Sequence, residues 1–129
     1  MPPTIEQIDH LVLNCRDVEA TAAWYERVLG MRREVFGADR RVALKFGNQK
    51  INLRPTGAAN WITGAADAPG AADFCLITEA APEDTVRHLH ACGVEVTDGP
   101  TTRAGARGTM TSVYCRDPDG NLVEIAKYP

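Results

Sequence analysis

One order of structural signals occurs twice in this chain, and that repeat constrains its fold more than any other feature. The first half opens with an apolar strand, Ile8 to Cys15. Asp17 then stands where an N-cap belongs, ahead of a helix over Val18 to Leu29, and Gly30 suits the left-handed residue that ends it. Strands follow at Arg32 to Phe36, Arg41 to Phe46 and Lys50 to Arg54, the last two separated by the turn Gly47-Asn48-Gln49. The second half opens with a strand from Asp73 to Thr78. A helix runs from Pro82 to Cys92, with Pro82 in its first turn and Glu83 and Asp84 near its positive end. After Gly93, strands are expected at Val94 to Thr97, Thr109 to Cys115 and Asn121 to Lys127. Each half therefore reads βαβββ.

The offsets agree. Asp73 follows His10 by 63 residues, and Gly93 follows Gly30 by 63. Glu124 follows Asn52 by 72, so the second half has gained residues, which the Gly-, Pro- and Arg-rich stretch Asp98 to Gly108 accommodates as a loop. The Gly- and Ala-rich segment Gly57 to Ala72 is too short to separate independent domains. The expectation is a single α+β domain over residues 1–129, with module one at about 6–56, module two at about 71–128, and one fused sheet. In the first helix Ala20, Ala23, Trp24 and Val28 form an apolar face, which places Trp24 in the core.

The chain of 129 residues is long enough to bury a core. Its net charge of −3 and the lack of a basic stripe argue against nucleic-acid binding. No apolar run reaches the length of a membrane span, and Met1-Pro2-Pro3-Thr4 is not the start of a signal peptide; a cytoplasmic chain is expected. Cys15, Cys75, Cys92 and Cys115 form no Cys-x-x-Cys pair and read as reduced, buried small hydrophobes.

Chemistry enters at the two ends. Asp117-Pro118-Asp119-Gly120 is a tight turn feeding a strand in which Glu124 sits among Leu122, Val123, Ile125 and Ala126. A carboxylate there is costly to desolvate unless it is paired or bound to a cation. His10 sits similarly between Ile8 and Val12. One such residue at each end of the chain suggests that the two strands meet at a metal; the alternative is a direct hydrogen bond between His10 and Glu124. His88 and His90 are two apart on a helix and point to different faces. A site of two histidines and one carboxylate around iron therefore cannot be assembled.

The segments IDHLVLNCRD, TAAWYERVLGM, FGNQKINLRP, GAADFCLIT and RDPDGNLVEIAKY together resemble the vicinal oxygen chelate superfamily, which includes glyoxalase I, fosfomycin-resistance enzymes, extradiol dioxygenases, methylmalonyl-CoA epimerase and bleomycin-resistance proteins. FGNQKINL with PGAADFCLIT looks most like the glyoxalase domain-containing protein 5 branch. The resemblance implies a curved, cup-shaped mixed sheet with helices on its outer face and metal ligands from the first and fourth strands of each module. His10 and Glu124 match the first and last ligand positions. Asp73 falls where glyoxalase I has its second His, and Asn52 where it has its first Glu. Some relatives in the branch carry His where Arg54 stands here.

The implied ligand set is His10, Asn52, Asp73 and Glu124 around a divalent cation, with Mn, Ni, Co, Mg and Zn not distinguished. Glu124 would also act as the base. Arg54, facing the cup with Asn52, and Arg103 and Arg107, in a loop at its mouth, are expected to bind an anionic part of the substrate. Three readings follow: a glyoxalase-like lyase or isomerase working through an enediolate-like intermediate; a metal-free small-molecule binding protein like the bleomycin-resistance group; and a thiol- or water-adding transferase like the fosfomycin group. The resemblance also implies a homodimer, with the cup completed within one chain or across two.

Overall fold

A computed structural model describes all 129 residues. The first module comprises β1 (His10–Cys15), α1 (Val18–Leu29), β2 (Arg32–Phe36), β3 (Arg41–Phe46) and β4 (Gln49–Pro55). The second comprises β5 (Asp73–Ile77), α2 (Pro82–Ala91), β6 (Asp98–Gly105), β7 (Gly108–Arg116) and β8 (Leu122–Lys127). The α+β class and the duplicated βαβββ order are those expected. The sheet is not fused: hydrogen bonding gives two four-stranded sheets, ordered β1-β4-β3-β2 and β5-β8-β7-β6. In each, the first strand runs parallel to the fourth and the other pairs are antiparallel. β1 and β5 are thus edge strands.

Local signals set the boundaries of α1. The Asp17 carboxylate accepts from the Ala20 N–H, and Gly30, at φ 66°, closes the helix by donating to the Glu26 carbonyl while Met31 donates to that of Tyr25. The second module departs from expectation at β6. Residues 94–97 are not a strand; the strand is Asp98–Gly105, within the stretch read as a loop. Gly99 and Pro100 break the pattern there, and they mark a register shift between Asp98 and Thr101 as β6 pairs with β7. Gly99 has φ 90°, and a Cβ would lie 2.2 Å from the Ser112 carbonyl oxygen, so only glycine fits.

One face of each sheet packs into one shared core. Leu13, Cys15, Leu44, Ile51 and Leu53 come from the first module, Val113, Cys115, Val123 and Ile125 from the second. From α1 the core takes Tyr25 and Val28, and from α2 Leu89. Trp24 is only half-buried, packing edge-on against Tyr25 at 4.8 Å between centroids. Tyr25 takes the core position instead, fully buried, because its hydroxyl has an acceptor inside.

That acceptor belongs to the β7–β8 turn, which clasps the modules together. The Asp117 carboxylate accepts from the Tyr25 hydroxyl at 2.7 Å, the Asn121 side-chain amide at 2.8 Å, and the backbone N–H groups of Asp119 and Asn121 at 3.0 Å each. The Asp119 carboxylate accepts from the Arg16 backbone N–H at 3.1 Å and the Thr21 hydroxyl at 3.3 Å. Asn121 Oδ1 accepts from Ala72 N–H at 3.0 Å, tying in the linker. The turn was legible in the sequence; its grip on α1 was not.

All four cysteines are free; Cys15 and Cys115 are buried, whereas Cys75, expected to be buried, is exposed on the edge strand β5. Burial pushes the Cys15 thiol up to about 12 and the Cys115 thiol up to about 11 from 9.0, and burial followed by the Asp117 charge raises the Tyr25 hydroxyl further. The unfolded chain therefore releases protons near pH 9–10 that the folded chain keeps, so stability is fully present below that range and falls as pH rises. A loss of about 6 kcal/mol by pH 11 is expected as a steadily falling Tm in calorimetry; a flat Tm from pH 8 to 11 would contradict it.

Candidate functional site

The strand faces opposite the core carry the candidate site residues. On the first sheet, register places Val12 (β1), Asn52 (β4), Ala43 (β3) and Glu34 (β2) in one row across the strands. The row before it is His10, Lys50, Lys45 and Arg32. On the second sheet, Cys75, Glu124, Tyr114 and Asp98 form the corresponding row, and Asp73 pairs with Leu122 in the row before. The two modules match residue for residue here. Two positions beyond His10 in β1 lies the partner of Asn52; two beyond Asp73 in β5 lies the partner of Glu124.

His10 is exposed and its Nδ1 lies 2.9 Å from the Asp9 carboxylate, which leaves Nε2 available. It does not bond to Glu124. Asn52 is only 7 % exposed, and its Oδ1 has no hydrogen-bond partner. Glu124 Oε2 is likewise buried and without a partner. An unpaired buried oxygen is costly, and two at equivalent positions are a pattern. Asp73 and Glu124 line a depression of about 450 Å³ together with Asp98, Arg103, Tyr114 and Arg116.

Arg103 and Tyr114 organise that depression. Arg103 Nε donates to the Tyr114 hydroxyl at 3.2 Å and Nη2 to Asp98 at 3.0 Å. Partial burial, then a hydrogen bond to Glu124, raises the Tyr114 pKa. Sequence reasoning missed Tyr114 and Asp98; strand alternation around Glu124 with an antiparallel neighbour could have found Tyr114. Arg103 lies in β6, not in a loop. Arg107 sits in the β6–β7 hairpin, its guanidinium 4.3 Å from the Tyr128 ring centroid, away from this depression.

Arg54 faces as expected but is otherwise engaged. It is 5 % exposed, and it donates to the carbonyls of Trp61 and Ala58, to Asn14 Oδ1 and to Asp67. It holds the linker against β4. Trp61 is stacked under Arg41, whose guanidinium lies 4.0 Å from the ring centroid. His88 Nε2 contacts the Val28 carbonyl at 2.7 Å and takes no part in the site.

The four expected ligand positions form two half-sites, His10 with Asn52 and Asp73 with Glu124, on separate sheets. Within one chain no three His, Cys, Asp or Glu side chains come close enough to hold a metal ion. The first half offers an imidazole nitrogen and an amide oxygen and the second two carboxylates, all on faces turned from the core, with one oxygen in each half lacking a hydrogen-bond partner. Taken together, an imidazole, an amide oxygen and two carboxylates are a donor set that suits a divalent cation. A larger groove of about 750 Å³ lies between the modules, lined mainly by apolar residues including Met31, Phe46, Leu76, Ile77 and Leu89. No helix is long and apolar enough to cross a membrane.

The sequence model of the Glyoxalase/Bleomycin resistance protein/Dioxygenase superfamily matches residues 7–125. The chain is 43 % identical over 124 residues to the virulence protein STM3117 of Salmonella typhimurium, covering 96 % of this chain and 85 % of that one. An integron cassette protein from the mobile metagenome of V. cholerae has the same fold at a TM-score of 0.95, with 43 % identity and full coverage of both chains. A lactoylglutathione lyase from Agrobacterium tumefaciens superposes at a TM-score of 0.72 with 26 % identity, covering 98 % of this chain and 95 % of that one.

Proposed function

The chain belongs to the glyoxalase/bleomycin resistance protein/dioxygenase superfamily, and from that premise we propose that it is a metal-dependent lyase or isomerase similar to lactoylglutathione lyase, acting on a small oxygenated substrate. The observation that carries this reading is the pair of unsatisfied oxygens, Asn52 Oδ1 and Glu124 Oε2, at register-equivalent positions of the two sheets. Ser112 Oγ is also buried without a partner, but Asn52 and Glu124 are the two such residues at matching positions of the repeat.

His10, Asp73 and Glu124, with Asn52 as the weakest member, would hold a divalent cation; Mn, Ni, Co, Mg and Zn all suit such a set. When bound, the ion supplies positive charge against two neighbouring oxygens of the substrate. The chain's own residues do the rest. Glu124 takes a proton from carbon next to a carbonyl and returns it. The Tyr114 hydroxyl, held by Arg103, orients Glu124 from the adjacent strand. Asp9 fixes the imidazole of His10 through Nδ1.

The half-sites meet in a homodimer, the first sheet of one chain against the second sheet of its partner. Two features support this: β1 and β5 are unpaired edges, and each ends or begins at a ligand position. Placement in the glyoxalase domain-containing protein 5 branch and in the cytoplasm belong to the same reading. Metal analysis of untagged protein purified without chelator tests it: about one tightly held divalent ion per chain supports it, and protein that binds none of these ions in titrations refutes it. The apolar 750 Å³ groove favours one second reading, a metal-free binding protein for a flat apolar molecule; such a protein would bind ligand equally well after His10→Ala.

A further inference from the structure

The first sheet carries a feature that the chelating residues do not account for. His10, Lys50, Lys45 and Arg32 are direct partners on four adjacent strands and point to one face. Lys50, Lys45 and Arg32 set like charges directly across neighbouring strands, where they repel, so such a row is unfavourable for folding alone. Acids relieve only part of it. Lys45 lies 3.7 Å from Glu34, and His10 has Asp9. Lys50 and Arg32 have no acidic partner. The Lys50 ammonium instead leans over the sheet, 3.6 Å from the Phe36 ring centroid. Beneath its path lie Ala43, too small to fill the space, and Asn52, with its unpaired Oδ1.

We propose that this row is a binding site for an oxyanion, a phosphate or carboxylate group of the ligand, held by Lys50 and Arg32 with Lys45 behind them. Because His10 ends the row, a ligand anchored there would extend along the sheet toward the proposed chelating site. That relation rests on the metal reading above; the anion site itself does not. The two cations without acid partners would gain charge-assisted hydrogen bonds, and the repulsion along the row would be relieved by the bound charge. A substrate of this class is an acid or phosphoryl ester carrying neighbouring oxygens at its other end, not a neutral dicarbonyl.

The test is a heteronuclear NMR titration of the metal-free full chain, first with inorganic phosphate and then with succinate, at ionic strength held constant with chloride. Saturable shifts centred on Arg32, Lys45 and Lys50 are expected. Lys50→Gln and Arg32→Gln should each weaken binding about tenfold, and neither should lose the spectrum of a folded protein, because neither side chain is buried. A response to phosphate alone identifies a phosphoryl group, and a response to both identifies a general oxyanion site. No saturable shift with either anion, or a double variant titrating like the parent, overturns the proposal. Metal content, measured separately, is a different result and leaves this one standing or falling by itself.

Discussion

Asp117→Ala is expected to destabilise the fold by about 3–5 kcal/mol, the largest single-residue effect outside the apolar core. The carboxylate satisfies four donors: the Tyr25 hydroxyl, the Asn121 amide and two backbone N–H groups. Asp117, Tyr25 and Asn121 are each at most 5 % exposed, so water cannot readily replace what is lost. Each donor left unpaired costs roughly 1–3 kcal/mol. Tyr25→Phe removes one bond and its donor together, and should cost only about 1–2 kcal/mol. Chemical denaturation of both variants checks the ranking. Equal losses would mean that the single Tyr25–Asp117 hydrogen bond, not the four-donor hub, holds the turn to α1.

Glu124→Gln should do the reverse: abolish divalent-ion uptake and lower turnover by about 10²–10⁴-fold, while leaving Tm unchanged or higher. Glu124 Oε2 has no hydrogen bond to lose, the other oxygen keeps its bond to the Tyr114 hydroxyl in the amide, and the neutral amide carries no charge to desolvate. A structural ion-pairing carboxylate would behave oppositely, losing stability on the same change. Asn52→Glu should tighten ion binding by about tenfold, since it places a carboxylate where a neutral amide stands. Metal titration beside a thermal melt of each variant separates these cases; a fall in the Tm of Glu124→Gln would contradict the functional assignment.

The repeat was readable because the signals that define it are local. Asp17 caps, Gly30 turns and the 63-residue offset needs no tertiary knowledge. β6 was not readable, because Gly99 and Pro100 interrupt its pattern and only pairing with β7 makes Asp98–Gly105 a strand. Trp24 and Tyr25 are neighbours at the edge of one helical face, and which enters the core depends on a hydroxyl acceptor 92 residues away. Strand alternation put Arg54 on the correct face. Where its guanidinium goes depends on the carbonyls of Ala58 and Trp61, whose positions no periodicity encodes. His10, Asn52, Asp73 and Glu124 were picked out by position, and register sets them at equivalent places in the two modules. That the halves stand on separate sheets follows from the sharing of one core, which only the packed chain reveals.

The central claim is that two chains complete each site, and complementation tests it most directly. His10→Ala and Glu124→Ala chains are prepared separately, mixed, unfolded and refolded together, and the divalent ion bound per chain is measured. In a mixed dimer, one site combines both lesions and the other combines an intact His10 with an intact Glu124. Each variant alone should bind no ion, and the mixed dimer should recover one site of the two. A mixture as empty as its components would contradict assembly across chains, and variants that bind like the parent would contradict the site itself.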